Sequence, residues 1–97
     1  MLPRPESRVV ATDRQVACEI GAEAVILHLD DGIYYGLNEV GARVWQLVQE
    51  PLTVREIVDV IVGEYEVDRA QCLSDVQALV EGLVEHHLVV VSDEASP

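Results

Sequence analysis

The chain contains no lysine and no phenylalanine, and in 97 residues it has only two cysteines, three tyrosines and one tryptophan. Its six basic residues, all arginine, face eighteen acidic ones, for a net charge of -12. Binding to a phosphate backbone requires a basic footprint, so the charge balance argues against a nucleic-acid partner. The same deficit argues against an anionic membrane surface. No apolar run approaches the ~20 residues that a membrane span requires. Residues 1–15, MLPRPESRVVATDRQ, hold no continuous apolar stretch of the kind a signal peptide carries. Cys18 and Cys72 are too few for a disulfide scaffold and suit a reducing compartment, so the sequence reads as cytoplasmic.

What is present is 49% apolar and 25% charged, the composition of one globular domain. Residues 1–8, with Pro3, Pro5, Glu6 and Ser7, read as a flexible N-terminal arm, residues 9–91 as the folded domain, and residues 92–97 as an acidic disordered tail. The first half is strand-like. Val16, Cys18 and Ile20 alternate with Ala17 and Glu19, Ala24 to Leu29 is a short apolar run, and Ile33 to Leu37 is rich in β-formers. Asp31-Gly32 between the last two predicts a tight hairpin with a type I′ turn. The second half is helical. Asn38 is a cap for a first helix with the stripe Val40, Val44, Leu47 and Val48, flanked by Trp45 and ended by Pro51. Thr53 and Glu56 have capping-box spacing ahead of Ile57, Val58, Ile61, Val62 and Tyr65. Asp68 and Gln71 start a third helix with core face Leu73, Val76, Val80, Leu83 and Val84, and Leu88 to Val91 is suited to a short closing strand. The predicted fold is α+β and winged-helix-like: a three-stranded antiparallel β-meander followed by three α-helices that cover one sheet face.

A winged helix often binds DNA, but here the hairpin tip carries Asp30 and Asp31 where a DNA-reading wing carries basic residues. His86 and His87 are adjacent and diverge by about 100° on a helix, while His28 lies in a strand far away in sequence, so no metal site is expected. They fit better as imidazoles at a helix C-terminus. No glycine-rich phosphate loop follows a strand, and no cofactor is expected. A Cys–His nucleophile is formally available, yet an acidic field raises a thiol's pKa rather than lowering it, and no catalytic residues are assigned.

Tyr34, Tyr35 and Trp45, three of the four aromatics, crowd into the segment IYYGLNEVGARVWQLV, residues 33–48. Ile33, Tyr35 and Leu37 project to one face of the third strand and Tyr34 and Gly36 to the other, so neither face is polar. An edge strand of that composition aggregates unless a helix or a partner covers it. The run YYGLNEVGARVW, with the Thr-capped LTVREIVDVI and the acidic DVQALVEGLVEHHLVVV, resembles the PqqD-like family, the RiPP precursor recognition elements, over about residues 10–91. Its Tyr-Tyr-x-Leu-Asn-x-x-Gly-x-x-x-Trp pattern is most similar to the free-standing leader-binding subunit of lasso peptide biosynthesis. One departure is His86-His87-Leu88, where the family commonly has Gly before Leu.

The resemblance implies a winged-helix-like protein without chemistry of its own. The leader segment of a ribosomally made precursor peptide would join the third strand's edge as a further strand and be clamped by the third helix. The precursor would then pass to a separate cysteine protease subunit and on to a cyclase. Ile33, Tyr34, Tyr35, Gly36 and Leu37 would present the ladder. Cys72, Asp75, Val76 and Leu79, at helical spacing, would form the opposite wall, with Asp75 receiving a Lys or Arg of the leader. Two other readings stay open. One is an adaptor for a different modified peptide, serving a radical enzyme or a cyclodehydratase; the other is a small catalytic subunit using Cys18 or Cys72.

Overall fold

The alternation that predicts strands starts at Val16, yet the computed structural model, which describes residues 2–92, has a strand upstream of it, β1 (Arg8–Ala11). The predicted antiparallel meander follows as β2 (Gln15–Ile20), β3 (Glu23–His28) and β4 (Tyr34–Leu37), in spatial order β2-β3-β4. Then come α1 (Glu39–Leu47), the short β5 (Leu52–Thr53), α2 (Val54–Glu64), α3 (Arg69–Glu85) and β6 (Val89–Ser92). A second antiparallel sheet, of order β5-β1-β6, joins segments far apart in sequence, with Arg8 opposite both Thr53 and Ser92. The fold is thus α+β, with two small sheets and three helices. Residues 93–97, most of the stretch read as an acidic tail, lie outside the described residues.

Residues 2–7 depart from the loose arm expected of them. Pro3 and Ser7 are buried, and Gln77 Nε2 donates to the Pro3 carbonyl at 2.8 Å. The backbone N–H groups of Val54 and Arg55, the first two of α2, donate to the carbonyls of Ser7 and Pro5 at 2.9 Å each. A helix start leaves such donors without internal partners, and a Pro-containing segment still has carbonyls to offer them. The capping box completes the same helix start, with Thr53 Oγ1 accepting from the Glu56 N–H and Glu56 Oε1 accepting from the Thr53 N–H. The bond from the Thr53 backbone, aided by its hydroxyl, holds the Glu56 carboxyl below its usual range. The cap therefore contributes at neutral pH, and its contribution is lost as pH falls through that depressed value. Asn38 and Asp68 cap α1 and α3 as their sequence positions predict.

Two turns differ from expectation. Between β3 and β4, the Gly32 N–H donates to the His28 carbonyl at 2.9 Å and the His28 N–H to the Ile33 carbonyl at 3.0 Å. Residues 29–32 are therefore a four-residue loop with Gly32 alone left-handed (φ 71°), not a type I′ pair at Asp31-Gly32. At the end of α3, the Leu88 N–H returns to the Leu83 carbonyl and the His87 N–H to the Val84 carbonyl, a Schellman motif with His87 at φ 58°. That position favours glycine, so the sequence departure at His86-His87-Leu88 alters the residue but keeps the stop. His87→Gly is expected to raise the unfolding free energy by about 1 kcal/mol, read as a shifted urea midpoint at unchanged slope. The same stop brings the His87 ring to 6.3 Å from that of His28, which sequence distance had separated.

The core lies between the inner face of β2-β3-β4 and the helices. Ala24 and Ile26 of β3 meet Val44 and Trp45 of α1, Ile57, Val58 and Ile61 of α2, and Val76, Val80 and Leu83 of α3. Val9, Leu88 and Val89 extend it under the second sheet. Val84, expected on the core face of α3, is instead exposed, and Cys72 takes a buried place. Among the described residues β4 pairs on one side only, with β3, and the C-terminal strand that competes for such an edge pairs with β1.

Candidate functional site

The free side of β4 looks across a groove of about 600 Å³ at α3. Tyr35, Gly36, Leu37 and Asn38 form one wall, and Cys72, Asp75, Val76 and Leu79 the other. Val40, Gly41 and Val44 of α1 and Ile61 of α2 floor it, and Val67, Asp68 and Gln71 close the end at the start of α3. An added Cβ at Gly41 would lie 3.3 Å from both Asn38 Oδ1 and Leu37 Cδ2, so this glycine lets α1 start directly under β4.

Seven of the nine residues anticipated as a site line this groove: Tyr35, Gly36, Leu37, Cys72, Asp75, Val76 and Leu79. Ile33 and Tyr34 do not, since Ile33 closes the hairpin loop opposite His28, ahead of β4, and the Tyr34 side chain, 69% exposed, stands on the outer face of the sheet. The floor and the Val67–Gln71 end were missed. An exposed apolar residue ahead of a helix cap, Val67 before Asp68, is the one signal for that end; the floor forms only through tertiary approach.

The ionisable groups that face the groove favour a cation. Both its charged side chains, Asp68 and Asp75, are acidic, and Gln71 links them: its N–H donates to Asp68 Oδ2 at 3.0 Å and its Nε2 to Asp75 Oδ1 at 2.9 Å. The nearby arginines are engaged elsewhere, Arg69 with Asp59 and Arg43 with both oxygens of Glu64. Burial first, then Asp75, pushes the Cys72 thiol above its ordinary pKa, the opposite of an activated nucleophile. Cys18 and Cys72 are both free thiols. Among the described residues no group of three His, Cys, Asp or Glu side chains is arranged to hold a metal ion, and no helix is long and apolar enough to cross a membrane.

Tyr35 sets the far end of the groove. Its ring meets the His86 ring edge-on at 4.8 Å, and its hydroxyl oxygen would lie 2.8 Å from a Cβ added at Gly82. His86 is held in place by a hydrogen bond between Nδ1 and the Gly82 carbonyl at 2.8 Å. Replacing a mid-helix glycine by alanine ordinarily stabilises by about 1 kcal/mol. Gly82→Ala is expected to fall short of that gain alone and to regain it with Tyr35→Phe, since the next nearest ring atom is 3.8 Å away. A double-mutant cycle in urea should read a coupling of about 1 kcal/mol.

Known proteins place this arrangement. The family model described as coenzyme PQQ synthesis protein D (PqqD) matches residues 23–89, from β3 to the start of β6. The solved structure of TbiB1 in complex with the TbiA(beta) leader peptide superposes with a TM-score of 0.76 at 37% identity, covering 90% of this chain and 99% of that one. Lasso peptide synthetase B1 complexed with the leader peptide shares the fold, with a TM-score of 0.74 at 23% identity over 84% of this chain and 96% of that one. None of the curated proteins matches the sequence. With β3, β4, the three helices and the β4–α3 groove all inside residues 23–89, the chain belongs to the PqqD family, as a PqqD-like RiPP recognition element.

Proposed function

We propose that this chain is a non-catalytic adaptor of lasso peptide biosynthesis that binds a precursor's leader segment along β4 and delivers it to a separate cysteine protease, ahead of the cyclase. The observation that carries this reading is a strand edge, without a ladder partner among the described residues, facing an acid-lined apolar groove. A peptide laid against such an edge gains main-chain hydrogen bonds whatever its sequence, and its alternate side chains enter the groove. Tyr35, Leu37, Val76 and Leu79 offer apolar contact, and Asp75 meets a Lys or Arg. The charge of -12 speeds encounter with a cationic segment. Ordering a flexible leader costs about 2–5 kcal/mol, which keeps the complex releasable for hand-over. A raised Cys72 pKa and an exposed Cys18 with no histidine bonded to it favour an adaptor over a thiol enzyme, in the reducing cytoplasm where both remain free.

The test is fluorescence anisotropy with the labelled leader of the precursor encoded beside this chain's own gene. Saturable binding by the wild-type protein is expected. Asp75→Arg should weaken it about tenfold and flatten its dependence on salt. No binding by the folded wild-type protein refutes the adaptor reading, and an unchanged Kd for Asp75→Arg removes that residue from the site.

A further inference from the structure

A second depression, of about 300 Å³, lies on the other side of β4 from the α3 groove. Ile20, Glu23 and Val25 line it together with Gly36, Leu37 and Asn38, and those last three residues also belong to the groove wall. Val25 stands directly opposite Gly36 in the ladder and Glu23 opposite Ile20, so the depression is where the outer face of the meander lacks a side chain on its last strand.

Nothing in the fold itself requires Gly36. Its φ is not left-handed, and a Cβ added there meets no atom within 4 Å. Neither backbone conformation nor crowding, the usual reasons for a glycine in a strand, applies. The Glu23 carboxylate, at the rim, has no ion-pair or hydrogen-bond partner among the described residues. Open space beside a free edge, between two aliphatic side chains and an unengaged carboxylate, has the form of a side-chain subsite.

We propose that the leader is read on both faces of β4, with the residue paired opposite Gly36 sending a Lys or Arg side chain into this outer depression. The inference rests on the leader-binding reading above and extends it to a second subsite. Directly opposed residues of neighbouring strands project to the same face, so the residue facing Gly36 points outward while the residues on either side of it point into the α3 groove. The methylene stem lies on Ile20 and Val25, and the charge meets Glu23.

The experiment uses the same labelled leader with the full chain. Gly36→Leu, which fills the depression, and Glu23→Arg are each expected to weaken binding about tenfold with urea midpoints unchanged. Exchanging the outward Lys or Arg of the leader for Glu should restore binding to Glu23→Arg to within about threefold of the native pair. An alanine scan of the leader should find sensitive positions of both parities. Native binding by both variants, no recovery in the charge-swapped pair, or sensitive positions confined to one parity would overturn the outer subsite while leaving the adaptor reading intact. Absence of binding by the wild-type chain overturns both.

Discussion

Gly36→Pro is expected to weaken leader binding by roughly 30- to 100-fold, about 2–3 kcal/mol, in a protein that still folds. The phase of the ladder decides which residue to change. The His28 N–H donates to the Ile33 carbonyl, so Ile33, Tyr35 and Leu37 are the residues of this segment whose backbone groups turn toward β3. Those of Tyr34 and Gly36 turn the other way, to the open edge. Proline at 36 removes an outward donor and sets its ring against an arriving strand, while the bonds to β3 stay in place. Proline at 35 instead strikes the protein's own sheet and should cost stability first. Anisotropy with the labelled leader, beside a urea melt of each variant, separates the two effects. Near-native binding by folded Gly36→Pro would remove strand addition as the mode of recognition.

The largest expected loss of stability is at Leu83. Its side chain is fully buried on the face of α3 turned from the groove, among the residues that join α3 to β3 and α2. Leu83→Ala should cost about 2–5 kcal/mol, the sum of lost transfer energy and the cavity left behind. A domain of this size has only about 5–15 kcal/mol in total. The urea midpoint should fall accordingly, and leader binding should fall only as far as the folded fraction does. A specific loss of affinity in fully folded protein would mean that α3 transmits strain from its buried face to the groove.

What was legible in the sequence was what neighbouring residues decide. Asn38, Thr53 with Glu56, and Asp68 mark three helix starts because a cap is a bond across three residues. The alternation of Tyr35 and Leu37 against Tyr34 and Gly36 sorts the faces of β4 in the same way. The second sheet was not legible, because β1 offers four residues and β5 two, and their partners lie some forty to eighty positions away. The arm failed as an expectation for a related reason: the need of α2 for carbonyl acceptors is not visible within residues 2–7. At the β3–β4 turn, Asp-Gly spacing pointed to the shorter loop, while the bond of Gly32 back to His28 lengthened it. Helical spacing put Cys72, Asp75, Val76 and Leu79 on one face of α3 and the family resemblance made that face a wall, but the floor combines α1 and α2 and no local pattern encodes that.

The pairing of Arg8 with Ser92 has a consequence for architecture. The first and last strands, β1 and β6, run side by side in a sheet that shares no strand with β4. A unit wired in that manner can be spliced into a surface loop of a larger enzyme without stretching either junction, its reading edge still pointing outward. Independent subunit and built-in module are then two ways of mounting the same receptor.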